Sequence, residues 1–118
     1  MSIENDTENI FRQSAVGGFI YNVTVNVNHA IHDAWLQWMI TIHIPDVLAT
    51  GCFKKQRMLR LLDIDETDGP TYAIQYYAES KAGYNRYAEL YAPKMQQAIT
   101  NKWGRQCTSF RTLMQVVH

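Results

Sequence analysis

The spacing of the apolar residues changes once near Asn28, and that change constrains the fold more than any other feature of the chain. Before it, Phe19, Tyr21, Val23, Val25 and Val27 alternate with Ile20, Asn22, Thr24 and Asn26, which is the pattern of a half-buried strand. After it, Ile31, Trp35, Trp38, Met39 and Ile42 recur at helical spacing and form one apolar face. Asn28 stands at the junction, where its side-chain oxygen can cap the first helical N–H groups. Neither element can bury its apolar side alone, so strand and helix must pack on one another in layers.

The rest of the chain continues the alternation. The first helix is expected to end near His43, because Pro45 disfavours helical geometry at Ile44, and a short second helix over residues 46–50 is closed by Gly51. Residues 53–62 have β character and carry Lys54, Lys55, Arg57 and Arg60; the turn-rich run 63–70 then leads into a strand over 71–79. Ser80 caps a second long helix, with Tyr84, Tyr87, Tyr91, Met95 and Ile99 along its stripe and Pro93 splitting it after Tyr91. Gly104 ends that helix, and residues 107–117 form the last strand. The order βαββαβ with right-handed crossovers predicts an α+β, ferredoxin-like plait: a four-stranded antiparallel sheet with both helices on one face.

At 118 residues the chain holds one domain, expected over 19–118, with residues 1–18 as an N-terminal arm. Eleven acidic residues balance eleven basic ones, so no broad electrostatic field attracts nucleic acid or an anionic membrane. The two cysteines, Cys52 and Cys107, are far apart and fit neither a disulfide framework nor a zinc spacing. The polar start lacks the pattern of a secretory signal, from which a cytoplasmic location is expected. No run approaches the roughly 20 apolar residues of a membrane span. Phosphate loops, nucleophile elbows and paired catalytic carboxylates are absent from the sequence, and no cofactor is expected.

A plait with its helices on one side leaves the other sheet face to water or to a partner. Ile20, Asn22, Thr24 and Asn26 belong to that face, joined by Tyr72, Ile74 and Tyr76 or by Tyr77, and by Phe110, Met114 and Val116 or by Leu113 and Val117. Either set leaves large apolar groups exposed, and pairing two such faces about a twofold axis predicts a homodimer.

Four residues are candidates for a ligand site: Trp35, Trp38, His43 and Tyr76. The indoles and phenols can stack an apolar or aromatic molecule, and the imidazole can supply one titratable contact, which also makes His43 the candidate catalytic residue. The same residues equally serve as core packing, with His43 interacting with the carbonyl end of its helix. His29 and His32, beside Asp33, lie one turn apart without further metal ligands at a recognisable spacing, and read as solvated helix-start residues. Lys54, Lys55, Arg57 and Arg60 make a basic strand that Arg111 can join as an anion site, or that edges the sheet against aggregation.

Together, Ile20-Tyr-Asn-Val-Thr-Val-Asn-Val27, Trp35-Leu-Gln-Trp-Met39, His43-Ile-Pro-Asp-Val-Leu-Ala-Thr-Gly51, Arg60-Leu-Leu62, Pro70-Thr-Tyr-Ala-Ile-Gln-Tyr76 and Phe110-Arg-Thr-Leu113 resemble a family of uncharacterised small bacterial proteins. The resemblance covers about residues 19–117 and implies kinship with the dimeric α/β-barrel superfamily, which includes cofactor-free monooxygenases, haem-degrading enzymes and proteins without known catalysis. Three readings follow: a homodimeric protein that binds a small apolar or aromatic ligand, a cofactor-free monooxygenase-like enzyme, or a purely structural oligomer.

Overall fold

The computed structural model describes residues 17–118, so the expected arm lies outside the described residues up to position 16. Strand β1 (Phe19–Val27) runs into a 3₁₀ turn (His29–Ile31), helix α1 (His32–Trp38), a π turn (Met39–His43) and helix α2 (Ile44–Ala49). Strands β2 (Lys55–Arg60) and β3 (Thr71–Ala78) follow, then helices α3 (Lys81–Leu90) and α4 (Ala92–Trp103), a 3₁₀ turn (Gly104–Gln106) and strand β4 (Cys107–Gln115). The sheet order is β2-β3-β1-β4 and every neighbouring pair is antiparallel. This is the expected ferredoxin-like βαββαβ arrangement.

The helix starts form as their sequences dictate. The Asn28 side chain accepts from the Ala30 N–H at 2.8 Å and the Ser80 hydroxyl accepts from the Gly83 N–H at 3.1 Å, so each satisfies a donor with no partner inside its helix. Pro93 occupies the first turn of α4, where its missing donor costs nothing, and Tyr91 marks the split from α3. Gly104, at φ 59°, closes α4 as anticipated.

The first helical run departs from expectation. It continues through Pro45 without a break, because the π turn inserts one extra residue ahead of the proline: the Ile44 N–H donates to the Met39 carbonyl, five residues back. Pro45 therefore lands in the first turn of α2. The inserted residue also shifts the buried stripe. An α-helix turns once in about 3.6 residues, so a four-residue stripe drifts by roughly 40° per step; the wide π turn takes up that drift and keeps Trp35, Met39, His43 and Val47 in one buried line. Ile42, expected inside, is 49% exposed, and His43 takes the inward place at 5%.

Register resolves the two faces of the sheet. Tyr21, Val23 and Val25 stand opposite Tyr76, Ile74 and Tyr72 on β3 and opposite Leu113, Arg111 and Ser109 on β4. The β1 and β3 members of that set pack with Trp35, Met39, Val47, Tyr87 and Trp103 in the core beneath the helices. The open face carries Ile20, Leu59, Tyr77, Phe110 and Met114 around a polar centre, where Gln75 donates to Asn22 at 3.3 Å and receives a hydrogen bond from Arg57 at 3.3 Å. Near the end of β1, Asn26 donates to the Gly69 carbonyl at 2.9 Å and the Thr71 hydroxyl at 3.1 Å. Gly69 has no substitute there, since a Cβ would stand 1.7 Å from the Val27 carbonyl oxygen.

Candidate functional site

A cavity lies between the helix-facing side of the sheet and the helices above it. Trp35, His43 and Tyr76, three of the four residues singled out from the sequence, line it together with Tyr21, Gln96 and Arg111. The space open to water centres is about 30 Å³. At roughly 10–15 Å³ for one enclosed water it admits a water or two, and a larger guest enters only as the lining side chains move. A wider, polar groove of about 270 Å³ at the Arg105 end of the sheet has no aromatic lining.

Trp38 lies outside the cavity wall and acts on it through His43. The imidazole stacks on the Trp38 indole with ring centres 5.0 Å apart, and Trp38 in turn meets Trp103 edge-on at 5.9 Å. The π turn presents His43 to this position; an unbroken α-helix would have turned it partly away. The His43 ring nitrogens have no hydrogen-bond partner among the described residues, but they are not among the fully buried unpartnered side-chain atoms of those residues, which are Gln56 Nε2 and Trp103 Nε1, so they stay open to the water the cavity admits. Burial first, and the Arg111 charge to a lesser degree, lowers its pKa from 6.5 to about 4 against the opposing pull of Asp46. Near neutral pH it is an uncharged imidazole with one donor and one acceptor nitrogen.

The phenols around the cavity are held in their neutral form. Loss of hydration raises the pKa of Tyr76 and of Tyr87, with neighbouring tyrosines adding to the effect. Tyr21 is raised as well by burial, although the Arg111 guanidinium beside it pulls the other way. These rings form one aromatic cluster: Tyr21 lies 5.5 Å from Tyr87 and 6.1 Å from Tyr76, and Phe53 lies 4.8 Å from Tyr87.

Arg111 is the residue whose place the sequence did not convey. It stands on β4 directly opposite Val23, at the edge of the sheet far from β2, and its Nε donates to the Tyr21 hydroxyl at 3.0 Å. It is therefore no part of the basic strand: Lys55 and Arg57 share the open face, Lys54 pairs with Glu79, and Arg60 is bidentate to Glu66. Helix-side residues Ser109 and Arg111 are exposed, so the cavity reaches solvent along β4. His29 and His32 have separate structural partners, the Glu66 carbonyl at 2.9 Å and the Tyr72 hydroxyl at 2.6 Å. Among the described residues no group of three or more His, Cys, Asp or Glu is placed to hold a metal, and Cys52 and Cys107 are free thiols. No helix of the described residues is long and apolar enough to cross a membrane.

Comparison with solved structures supports the architecture. The chain is similar to an ethyl tert-butyl ether d (ethd) family protein from Bacillus halodurans c-125, with 7% identity and a TM-score of 0.59 over 80% of this chain and 96% of that one. It is also similar to a dimeric ferredoxin-like protein of unknown function from Thermobifida fusca yx, with 12% identity and a TM-score of 0.55 over 85% and 92% of the two chains. A dimeric ferredoxin-like protein from an uncultured marine organism shares 14% identity and a TM-score of 0.51 over 86% and 96%. At these identities the likeness shows the fold alone. No curated protein matches the chain by sequence. The sequence model of one family, Domain of unknown function (DUF4286), matches residues 18–117, and the chain belongs to that family.

Proposed function

We propose that this chain is a homodimeric small-molecule-binding protein that takes an apolar or aromatic ligand between the sheet and the first helical run. The observation that carries this reading is His43: a neutral, buried imidazole without a hydrogen-bond partner among the described residues, turned by a π turn into a cavity walled by Trp35 and Tyr76. A guest that displaces the water the cavity admits can offer the imidazole a hydrogen bond in its place while burying its apolar body against Trp35 and Tyr76. π turns within α-helices recur at functional positions, which fits the same reading. The cavity admits water as it stands, so ligand entry requires the β4 side to open, where its lining is exposed.

Dimerisation is supported by the open face, on which Phe110 is 63% exposed and Met114 and Leu59 are each 37% exposed. Two of the structural neighbours are themselves dimeric. With the helices on the far side, pairing of the open faces leaves the cavity free.

A thermal-shift and tryptophan-fluorescence screen of small phenols, quinols, fatty acids and porphyrins tests the binding reading. A ligand of the folded state stabilises it by about 2.7 kcal/mol at a hundredfold excess over its dissociation constant. His43→Ala should weaken that binding while the dimer persists. Unchanged binding with a much lower melting temperature would make His43 a packing residue and remove the site.

A further inference from the structure

We infer that the ligand of this cleft is an anion, a small aromatic or aliphatic carboxylate whose charged end is held by Arg111 at the β4 mouth while its apolar body lies toward Trp35 and Ile74. This rests on the binding reading above and adds the chemical class.

Arg111 is a prepared cation without an anion among the described residues. Its Nε is engaged by the hydroxyl of Tyr21, a residue that is 5% exposed and wedged between Phe53 at 5.9 Å and Tyr87 at 5.5 Å, so one edge of the guanidinium is fixed by a rigid ring. Gln96, from α4, lines the same cavity. The two terminal guanidinium nitrogens have no acceptor among the described residues, and the ion pairs among those residues leave Arg111 out. Its charge is felt at His43, at Tyr21 and at Tyr87, so the field reaches across the cavity.

Among the described residues the lining contains no carboxylate to answer that charge. The carboxylate that acts on His43, Asp46, is exposed on α2, whereas at the β4 mouth an anionic guest can take the two remaining guanidinium nitrogens in the planar geometry that arginine favours. Beyond that end the walls are Val23, Val25, Trp35 and Ile74, which bury hydrocarbon, and His43 is neutral and able to donate or accept one hydrogen bond. Charge at the mouth and apolar walls behind it describe the complement of an amphipathic mono-anion.

The test uses the full chain and three matched pairs, benzoate with benzamide, 1-naphthoate with 1-naphthamide and decanoate with decanamide, by calorimetric titration at low salt. Each acid that binds should do so about tenfold or more tightly than its amide, as a charge-assisted hydrogen bond predicts. Arg111→Gln should bring the acid down to the amide's affinity with the amide unchanged, and Arg111→Lys should restore part of the preference. Equal affinities for acid and amide, or a preference untouched by Arg111→Gln, would overturn the anion assignment while leaving the cleft a binding site. Failure of every acid and every amide to bind would overturn both. If Arg111→Gln does not fold, Arg111→Lys and the salt dependence of the acid-to-amide ratio in the unaltered chain decide, since a ratio indifferent to salt contradicts the inference.

Discussion

The imidazole of His43 lies flat against the indole of Trp38, with ring centres 5.0 Å apart and planes inclined by 22°. One face of the histidine is thereby shielded from water while its edge addresses the cavity. Trp38 does not line the cavity and bears on it through His43: by stacking on one face of the ring it adds to the burial that keeps the imidazole neutral.

That coupling has a measurable pH dependence. The folded-state pKa of His43 is lowered from 6.5 to about 4, so between those values the unfolded chain binds the proton more readily and stability rises with pH. The contribution is fully present above 6.5 and falls by up to about 3 kcal/mol as pH drops to about 4. Urea unfolding of the unaltered chain and of His43→Leu across this window should diverge toward low pH, the variant losing less. Parallel curves would mean that His43 is as hydrated in the folded chain as in the unfolded one.

The shifted helical stripe predicts an asymmetry between two neighbouring apolar positions. Ile42→Lys should change stability by no more than about 0.5 kcal/mol, because the side chain is 49% exposed. Met39→Ala should cost about 2–5 kcal/mol, because Met39 is 3% exposed and packs in the core. A severe loss from Ile42→Lys would argue for a regular α-helix with Ile42 inside.

The open sheet face predicts the oligomeric response. Phe110→Asp places a charge where the face would meet its copy, and should convert a dimer to a monomer by light scattering at micromolar concentration, with Ile42→Lys on the helix side as the unaffected control. A dimer that survives Phe110→Asp pairs through some other surface.

Much of the fold was legible because the local signals agree. The alternation on β1, the caps at Asn28 and Ser80, the split before Pro93 and the closure at Gly104 all stand where the residue types require. Which face each strand turns to the helices was not legible, since β3 carries tyrosines at both Tyr76 and Tyr77, and only pairing with β1 assigns the first to the core and the second to the open face. The π turn was hidden for a related reason. One inserted residue leaves too short a window for any period to register, and Pro45 reads as a break until the turn before it is seen to absorb it. Of the cavity lining, Trp35 was read from the apolar stripe of the first helix, His43 as the titratable residue closing that helix and Tyr76 as one of several phenols of undecided face, whereas Arg111 looked like a residue that could join the β2 basic run. Only strand order reveals that β4 and β2 are opposite edges of the sheet.

The π turn also bears on how this chain should be compared with others. A five-residue turn set into an α-helix is, in alignment terms, a one-residue insertion with no loop to mark it. A relative whose helix lacks it must be aligned with a single gap between Trp38 and Ile44, inside an element where gaps are ordinarily penalised. Refusing that gap matches His43 to a solvent-facing position and moves Val47, which is 1% exposed, out of the core column, so a sound search for the site in other sequences begins by asking which of them carry the extra residue.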